Sequence, residues 1–486
     1  MSLINLIRNE FLKLFKKKSI YIILFLTIAF IIFSNFMYKN NNNSYYASYS
    51  RPMLDYYEES LSQLDPNRPS DVTAYLDTKT QVDMLHLIDK YGYSSWQANI
   101  ISEYVTPLIR TMNEYHYSTS IDEKSYQEAK KQYDIMVGKL EQDDWKYFVN
   151  LGLDKVNEQI KIQETLIKNT VDKSALSSSY STLESLKIDQ QVFKWRLEKN
   201  INFSNSFLNT ALLKYSSFQN AIYSYERTDN HTYSETLQYN QNLKQASVNK
   251  YYIENNINIQ NENDNRGILL NLFNNYELFI LIFIIMIAGS IVSDEFSKGT
   301  IKLLLVRPYS RVKILLSKFI VCLITLLLFI AFVAGTQFLL GGIIQGFDTM
   351  DIPAVIYHYG HQQVETINIF SYLLQMAVSK LPIYFLLMTL AFACSTLFAN
   401  TAVAIVLPLL GYMASNLINQ LALMYEIKPL LYFVTPNWDL SVYLFGGLPD
   451  FEGLTLIFSI AICIAYFIIM MIPTFLAFKK RNIKNI

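Results

Sequence analysis

Six apolar runs, each near the ~20 residues a helix needs to cross a bilayer, constrain this 486-residue chain more than any other feature. They cover residues 19–38, 273–292, 314–344, 371–398, 401–424 and 454–478. In hydrocarbon only helices and closed barrels satisfy every backbone N–H and C=O, and runs of this length specify helices. The expected fold is therefore an all-α integral membrane protein with six transmembrane helices. A large, mainly helical extracellular domain, residues 39–272, is inserted between helices 1 and 2.

Charge supplies the orientation. The formal net charge of zero hides a segregation: residues 39–272 hold 24 Lys and Arg against 30 Asp and Glu. The N-terminal stretch instead carries Arg8, Lys13, Lys16, Lys17 and Lys18 against Glu10, and the C-terminal tail carries Lys479, Lys480, Arg481 and Lys484. Between the second and third runs, residues 293–313 hold Lys298, Lys302, Arg307, Arg311 and Lys313 against Asp294 and Glu295. Short loops rich in Lys and Arg stay on the cytoplasmic face. Both termini and the 293–313 loop are thus expected inside a plasma membrane crossed several times. Nothing in the basic tails calls for a nucleic-acid partner.

Residues 1–18 place Leu3, Ile7, Phe11, Leu14 and Phe15 at helical spacing, an amphipathic helix for the interface. The run that follows competes with a signal peptide, but it is long, and Phe33–Lys39 has no small-x-small cleavage pattern. It reads as a retained first helix. Cys322, Cys394 and Cys463 all lie in apolar runs, so no disulfide framework supports residues 39–272. In that segment Pro52, Pro66 and Pro69 break up the first stretch, after which no proline separates Pro107 from Pro308. Long helices are expected: Leu153, Val156, Ile160, Ile167 and Val171 share one face, and Leu176, Tyr180, Leu183, Leu186, Phe193 and Leu197 another, with Ser174 as an N-cap. The abundant tyrosines read first as packing residues. The semi-apolar stretch 425–452 leaves re-entry into the bilayer open.

The chain has no Gly-x-x-x-x-Gly-Lys-Ser/Thr, His-Glu-x-x-His or Gly-x-Ser-x-Gly pattern, so catalysis is not expected of it. His358 and His361 flank Gly360 without a third ligand, which does not make a metal site. Lys380 reads as the one strongly basic residue inside an apolar run. Two roles stand open for it: an intramembrane functional residue, or a side chain snorkelling to the outer head groups.

The 293–313 loop has an internal pattern: Asp294-Glu295, Gly299-Thr300, a Leu-rich turn from Ile301, Arg307-Pro308 and Ser310-Arg311. Here the chain resembles the ABC-2 type transporter permeases, over the N-terminal helix with Glu10 and Lys16–Lys18 and over residues 273–486; its six-helix plan is similar to the larger Gram-positive members. The resemblance implies a membrane-spanning permease subunit whose loop forms a coupling helix on a separate ATPase subunit, present in two copies. ATP and Mg would be bound there, with no cofactor in this chain, and a second permease subunit, identical or homologous, would complete the assembly. It implies that Asp294, Glu295, Gly299, Thr300 and Glu10 sit at the coupling contact, and that Lys16, Lys17, Lys18, Arg307 and Arg311 touch head groups of the bilayer. The implied cargo is amphipathic, a peptide, lipid or drug exported or cleared, as in resistance to antimicrobial peptides. The alternative is a non-transporting membrane sensor or scaffold whose exterior domain binds a peptide, lipid or cell-wall ligand.

Overall fold

The structure, a computed structural model, describes residues 3–40, 45–117, 121–204, 206–259, 263–301, 309–425 and 427–481. The chain divides into two compact units, one of residues 1–37, 232–237 and 263–486, the other of residues 38–231 and 238–262.

Among the described residues, unit 1 carries six helices long and apolar enough to cross a membrane: Lys18–Lys39, Leu272–Ser297, Arg311–Gln345, Ile369–Phe398, Thr401–Met424 and Leu456–Lys480. They are called spans 1 to 6. The starts of spans 3 to 6 are written in the sequence as caps. Ser310 accepts from the Lys313 N–H, Asn368 from Phe370, Asn400 from Ala402 and Val403, and Thr455 from Phe458. Each satisfies a donor that the first helical turn leaves open. Pro382, Pro408 and Pro473 lie inside spans 4, 5 and 6 without ending them, as neighbouring helices in a bundle allow.

Spans 2 and 4 form the core of this unit, each about two-thirds buried (67%), against 17% for spans 5 and 6. Span 2 packs on spans 3, 4 and 5. Its Phe283 stacks on Phe329 of span 3 at 3.8 Å. Gly289 lets span 2 approach span 5 closely, since a Cβ there would meet Ile405 and the Ala404 carbonyl. Deeper in the unit an amide cluster ties span 1 to span 3. Gln337 Oε1 accepts from Asn35 Nδ2 at 3.0 Å and from the Tyr276 hydroxyl at 2.6 Å, while its Nε2 donates to Asn265 Oδ1 at 3.1 Å. Buried amides are tolerated when paired in this way.

Three departures from the sequence reading belong to this unit. The segment between spans 3 and 4 forms an antiparallel hairpin, β1 (Ala354–His358) and β2 (Gln363–Ile367), with Ala354 opposite Ile367 and His358 opposite Gln363, a short β element in an otherwise helical unit. The N-terminal helix, Leu3–Leu14, buries Leu6, Glu10 and Leu14; of the expected face only Leu14 is buried, Leu3, Ile7 and Phe11 are half-buried, and Phe15 is 46% exposed. Glu10 has a buried partner, described below. Residues 263–272 and 232–237 belong to unit 1 and not to the inserted domain.

Unit 2 is helical among its described residues. Trp145–Asn169 and Lys173–Lys199 pack together as a hairpin, and its cores gather around Ile101, Leu140 and Phe148, and around Trp195, Leu212 and Ile253. Asp172, not Ser174, caps the second arm: its carboxylate accepts from the Ser174 N–H. Val171 falls in the connector and is 95% exposed, off the expected face. Pro52 sits inside helix Tyr45–Ser62 without breaking it.

Candidate functional site

The most unusual chemistry in unit 1 lies at the end where the N-terminal helix, the C-terminal end of span 2 and the first turns of span 3 meet. Lys318, one of the largest fully buried side chains, is 0% exposed. An ammonium in such a position must be paired and hydrogen-bonded. Its Nζ reaches Glu10 Oε2 at 2.6 Å, Glu295 Oε1 at 2.8 Å and the Ile291 carbonyl at 3.2 Å. Lys13, one turn beyond Glu10, donates to Glu10 Oε1 at 2.8 Å and to Glu295 Oε1 at 3.0 Å. Two carboxylates and two ammonium groups thus neutralise one another across three elements.

A second pair lies beside the first. Lys17 donates to Asp294 Oδ2 at 2.7 Å and to Ser290 Oγ at 3.0 Å. Asp294 Oδ1 also accepts from the Thr401 hydroxyl at 3.2 Å. The Ser293 N–H donates to Ser395 Oγ at 2.9 Å, which brings spans 4 and 5 into the same network.

Electrostatics follow from this geometry. Burial pushes the Glu10 carboxyl up, but the Lys318 charge and the Lys13 hydrogen bond outweigh it and hold the group below its ordinary 4.5. Burial pushes Lys13 down, and its bonds to Glu10 and Glu295 outweigh that, holding it above its ordinary 10.5. Glu10 and Lys13 therefore stay charged near neutral pH. One Glu295 oxygen, Oε2, is buried and makes no hydrogen bond among the described residues.

The structure brings together three of the five expected coupling residues, Glu10, Asp294 and Glu295, and turns their carboxylates inward. The partners of the acidic pair are Lys13, Lys17 and Lys318 of the same chain. What remains outward is the ridge Ser297–Thr300, exposed along its length, with Gly299 at a φ of +68°. Left-handed backbone there suits glycine.

Among the expected head-group residues, Lys16 and Lys18 are exposed, but Lys17 is taken by Asp294. Arg307 lies outside the described residues. Arg311 donates to the carbonyls of Lys479 and Arg481, at 3.1 and 2.8 Å, where the end of span 6 leaves acceptors unpaired. Arg481 does the same for span 4, bonding the Thr396 carbonyl at 2.7 Å while stacking on Phe296 at 4.5 Å. Replacing Arg481 by Gln should cost roughly 1–2 kcal/mol, the sum of a charge-assisted end cap and a cation–π contact. The midpoint of thermal unfolding in detergent should fall for that variant and stay level for Lys480→Gln.

Sequence reasoning missed Lys318. Lys380 is not the one basic residue in an apolar run, because Lys318 lies inside the long third span and passes unnoticed among Ile, Leu and Phe. Nor does Lys380 snorkel: its side chain is 9% exposed, with Nζ 2.5 Å from Asp439 Oδ2 and 3.9 Å from Glu277 Oε2. The Tyr412 hydroxyl donates to Glu277 Oε1 at 2.6 Å. The hairpin places His358 beside Glu365, with Nε2 and Oε2 3.3 Å apart.

No solved structure matches the chain. Two proteins of Bacillus subtilis (strain 168) are similar to it. "Uncharacterized protein YhcI" is 35% identical over 216 residues, 43% of this chain and 67% of that relative. "Uncharacterized membrane protein YdbK" is 30% identical over 201 residues, 41% of this chain and 76% of that relative. A family model described as "Protein of unknown function (DUF2705)" matches residues 235–484, which take in spans 2 to 6 and the charged end of span 2. By that match, over more than half its length, the chain belongs to the DUF2705 family.

Proposed function

We propose that this protein is the membrane-spanning permease subunit of an ATP-driven, ABC-2 type transporter, acting with a separate ATPase subunit and moving an amphipathic cargo. The observation that carries the reading is the locked junction around Lys318. It joins the N-terminal helix, the end of span 2 and the start of span 3 into one charged unit, and leaves the Ser297–Thr300 ridge exposed on it. A partner pressing on that ridge moves three elements together, because separating them would strand buried charges. The acidic residues act as the internal frame of the coupling element, and Gly299 and Thr300 as its outer surface. In this reading the ridge and both termini face the cytoplasm, unit 2 lies outside the cell, and ATP and Mg are held by the partner.

The test uses the tagged full-length chain purified from its own host in mild detergent, with ATP hydrolysis as the readout. An ATP-hydrolysing subunit is expected to co-purify. Ser297→Arg, on the exposed ridge, should reduce that hydrolysis at least about thirtyfold, the loss of a contact worth ~2 kcal/mol, while the chain still folds. A wild-type chain that purifies without any ATP-hydrolysing partner would overturn the proposal and favour a sensor or scaffold.

A further inference from the structure

Spans 3, 4 and 6 enclose an apolar cavity of about 400 Å³, walled by Leu323, Pro382, Leu386, Ile464 and Phe467 among others. Its floor is aromatic. Phe385 and Phe467 line it with ring centroids 5.1 Å apart, and behind them Phe319, the neighbour of Lys318, lies 5.9 Å from the first ring and 6.1 Å from the second. Three rings in contact, one from each span, close the cavity toward the Lys318 end.

The lining offers nothing to a polar ligand. No charged side chain belongs to it, and the Cys463 thiol is engaged with the Asn437 carbonyl at 3.4 Å. An apolar cavity stays dry, and an empty one forfeits the dispersion contacts of its walls. Hydrocarbon is the medium that fills it at no cost in desolvated polar groups.

The mouth opens where hydrocarbon is at hand. Val378 on span 4 is 63% exposed and Ile464 on span 6 is 53% exposed, and the exposed apolar surface continues through Leu374 and Ile457 on the same two spans. Depth fits one leaflet. Val378 to Phe385 on span 4, and Ile460 to Phe467 on span 6, are each two turns of helix, about 10 Å, within the ~15 Å of hydrocarbon that one leaflet supplies.

We infer that this is a binding site for one alkyl chain of a bilayer lipid from the leaflet remote from Lys318. The end of the chain lies against Phe385 and Phe467, and the head group stays in the bilayer. The volume falls at the low end of small-ligand sites and has room for one chain, not two. Recognition is of the chain alone, because no lining residue reads a head group. The site goes beyond the transport reading and is measured without an ATPase.

Photolabelling tests it. The full chain is placed in nanodiscs of phosphatidylcholine carrying a diazirine near the end of one chain, irradiated, digested and mapped by mass spectrometry. Leu386 is the reporter, since it lines the cavity and is 3% exposed. Leu410 of span 5, 58% exposed, reports lipid at the outer surface, and Ile284 of span 2, 0% exposed, reports background. Adducts are expected on Leu386 and Leu410 and not on Ile284. Ile464→Trp and Val378→Trp, both at the mouth, should each reduce the Leu386 adduct at least about tenfold, a weakening of ~1.4 kcal/mol. Leu410 labelling should stay level, which shows that the bundle is intact. Phosphatidylglycerol with the same chain should label Leu386 as strongly as phosphatidylcholine does. Leu386 labelled no more than Ile284 would overturn the site, as would labelling undiminished in either Trp variant. A preference between the two lipids beyond about threefold would overturn recognition by the chain alone.

Discussion

Replacing Lys318 by Met is expected to destabilise unit 1 by about 3–5 kcal/mol, the penalty of removing one partner from a buried ionic group. The variant keeps the volume of the side chain but leaves Glu10 and Glu295, 6% and 9% exposed, facing each other with only Lys13 between them. Lys13 cannot compensate, since its side chain is 51% exposed and solvent screens it; Lys13→Met should cost no more than about 1 kcal/mol for the same reason. Thermal unfolding in detergent measures both. Adding Glu295→Gln to Lys318→Met should recover part of the loss, because the stranded charge is removed with its partner. If Lys318→Met unfolds at the wild-type temperature, the buried junction does not hold these elements together.

The same junction sets the pH dependence. Glu10 has a lowered folded pKa, so its contribution is present above its ordinary 4.5 and is lost as pH falls through the folded value. Lys13 has a raised one, so its contribution is present below 10.5 and is lost as pH rises through the folded value. The contact of the N-terminal helix should thus be level across neutral pH and weaken only below 4.5 or above 10.5. Limited proteolysis at the N-terminus across that range would follow it.

Replacing Lys380 by Met is the second large effect expected. It leaves Glu277 and Asp439 as facing carboxylates, with side chains 18% and 32% exposed. Because Asp439 is partly wetted, the expected loss is nearer about 2 kcal/mol than the full penalty of a buried pair. Glu277→Gln in the same chain should restore stability, since it removes one of the two like charges. A midpoint of unfolding that does not move in Lys380→Met would mean that the side chain is solvated and the cluster carries no energy.

Much of the scaffold was legible in the chain. The six apolar runs became six helices within a few residues, because length and composition alone decide that question in hydrocarbon. The caps Asn368 and Asn400, which open spans 4 and 5, carried a signal that the sequence reading passed over. The hairpin was legible too, but passed over: Ala354–His358 and Gln363–Ile367 are rich in β-branched residues and are separated by a short turn with Gly360. Lys318 had a signal of its own, a cation within a span, which by itself names a buried partner still to be found.

What the sequence by itself determined is membership of the membrane class, the spans and the segregation of charge, all of which are local properties of consecutive residues. Only the tertiary structure decided which charges meet. Glu10 and Lys318 are 308 positions apart, and Lys380 and Asp439 are joined across a span and two turns. Ion pairs of this kind depend on where whole helices pack, so a residue such as Glu295 reads as a surface contact in the sequence and is a buried strut in the fold. The physical reason is that a charge in a low-dielectric bundle takes the nearest opposite charge in space, and nearness in space is set by the packing of every span at once.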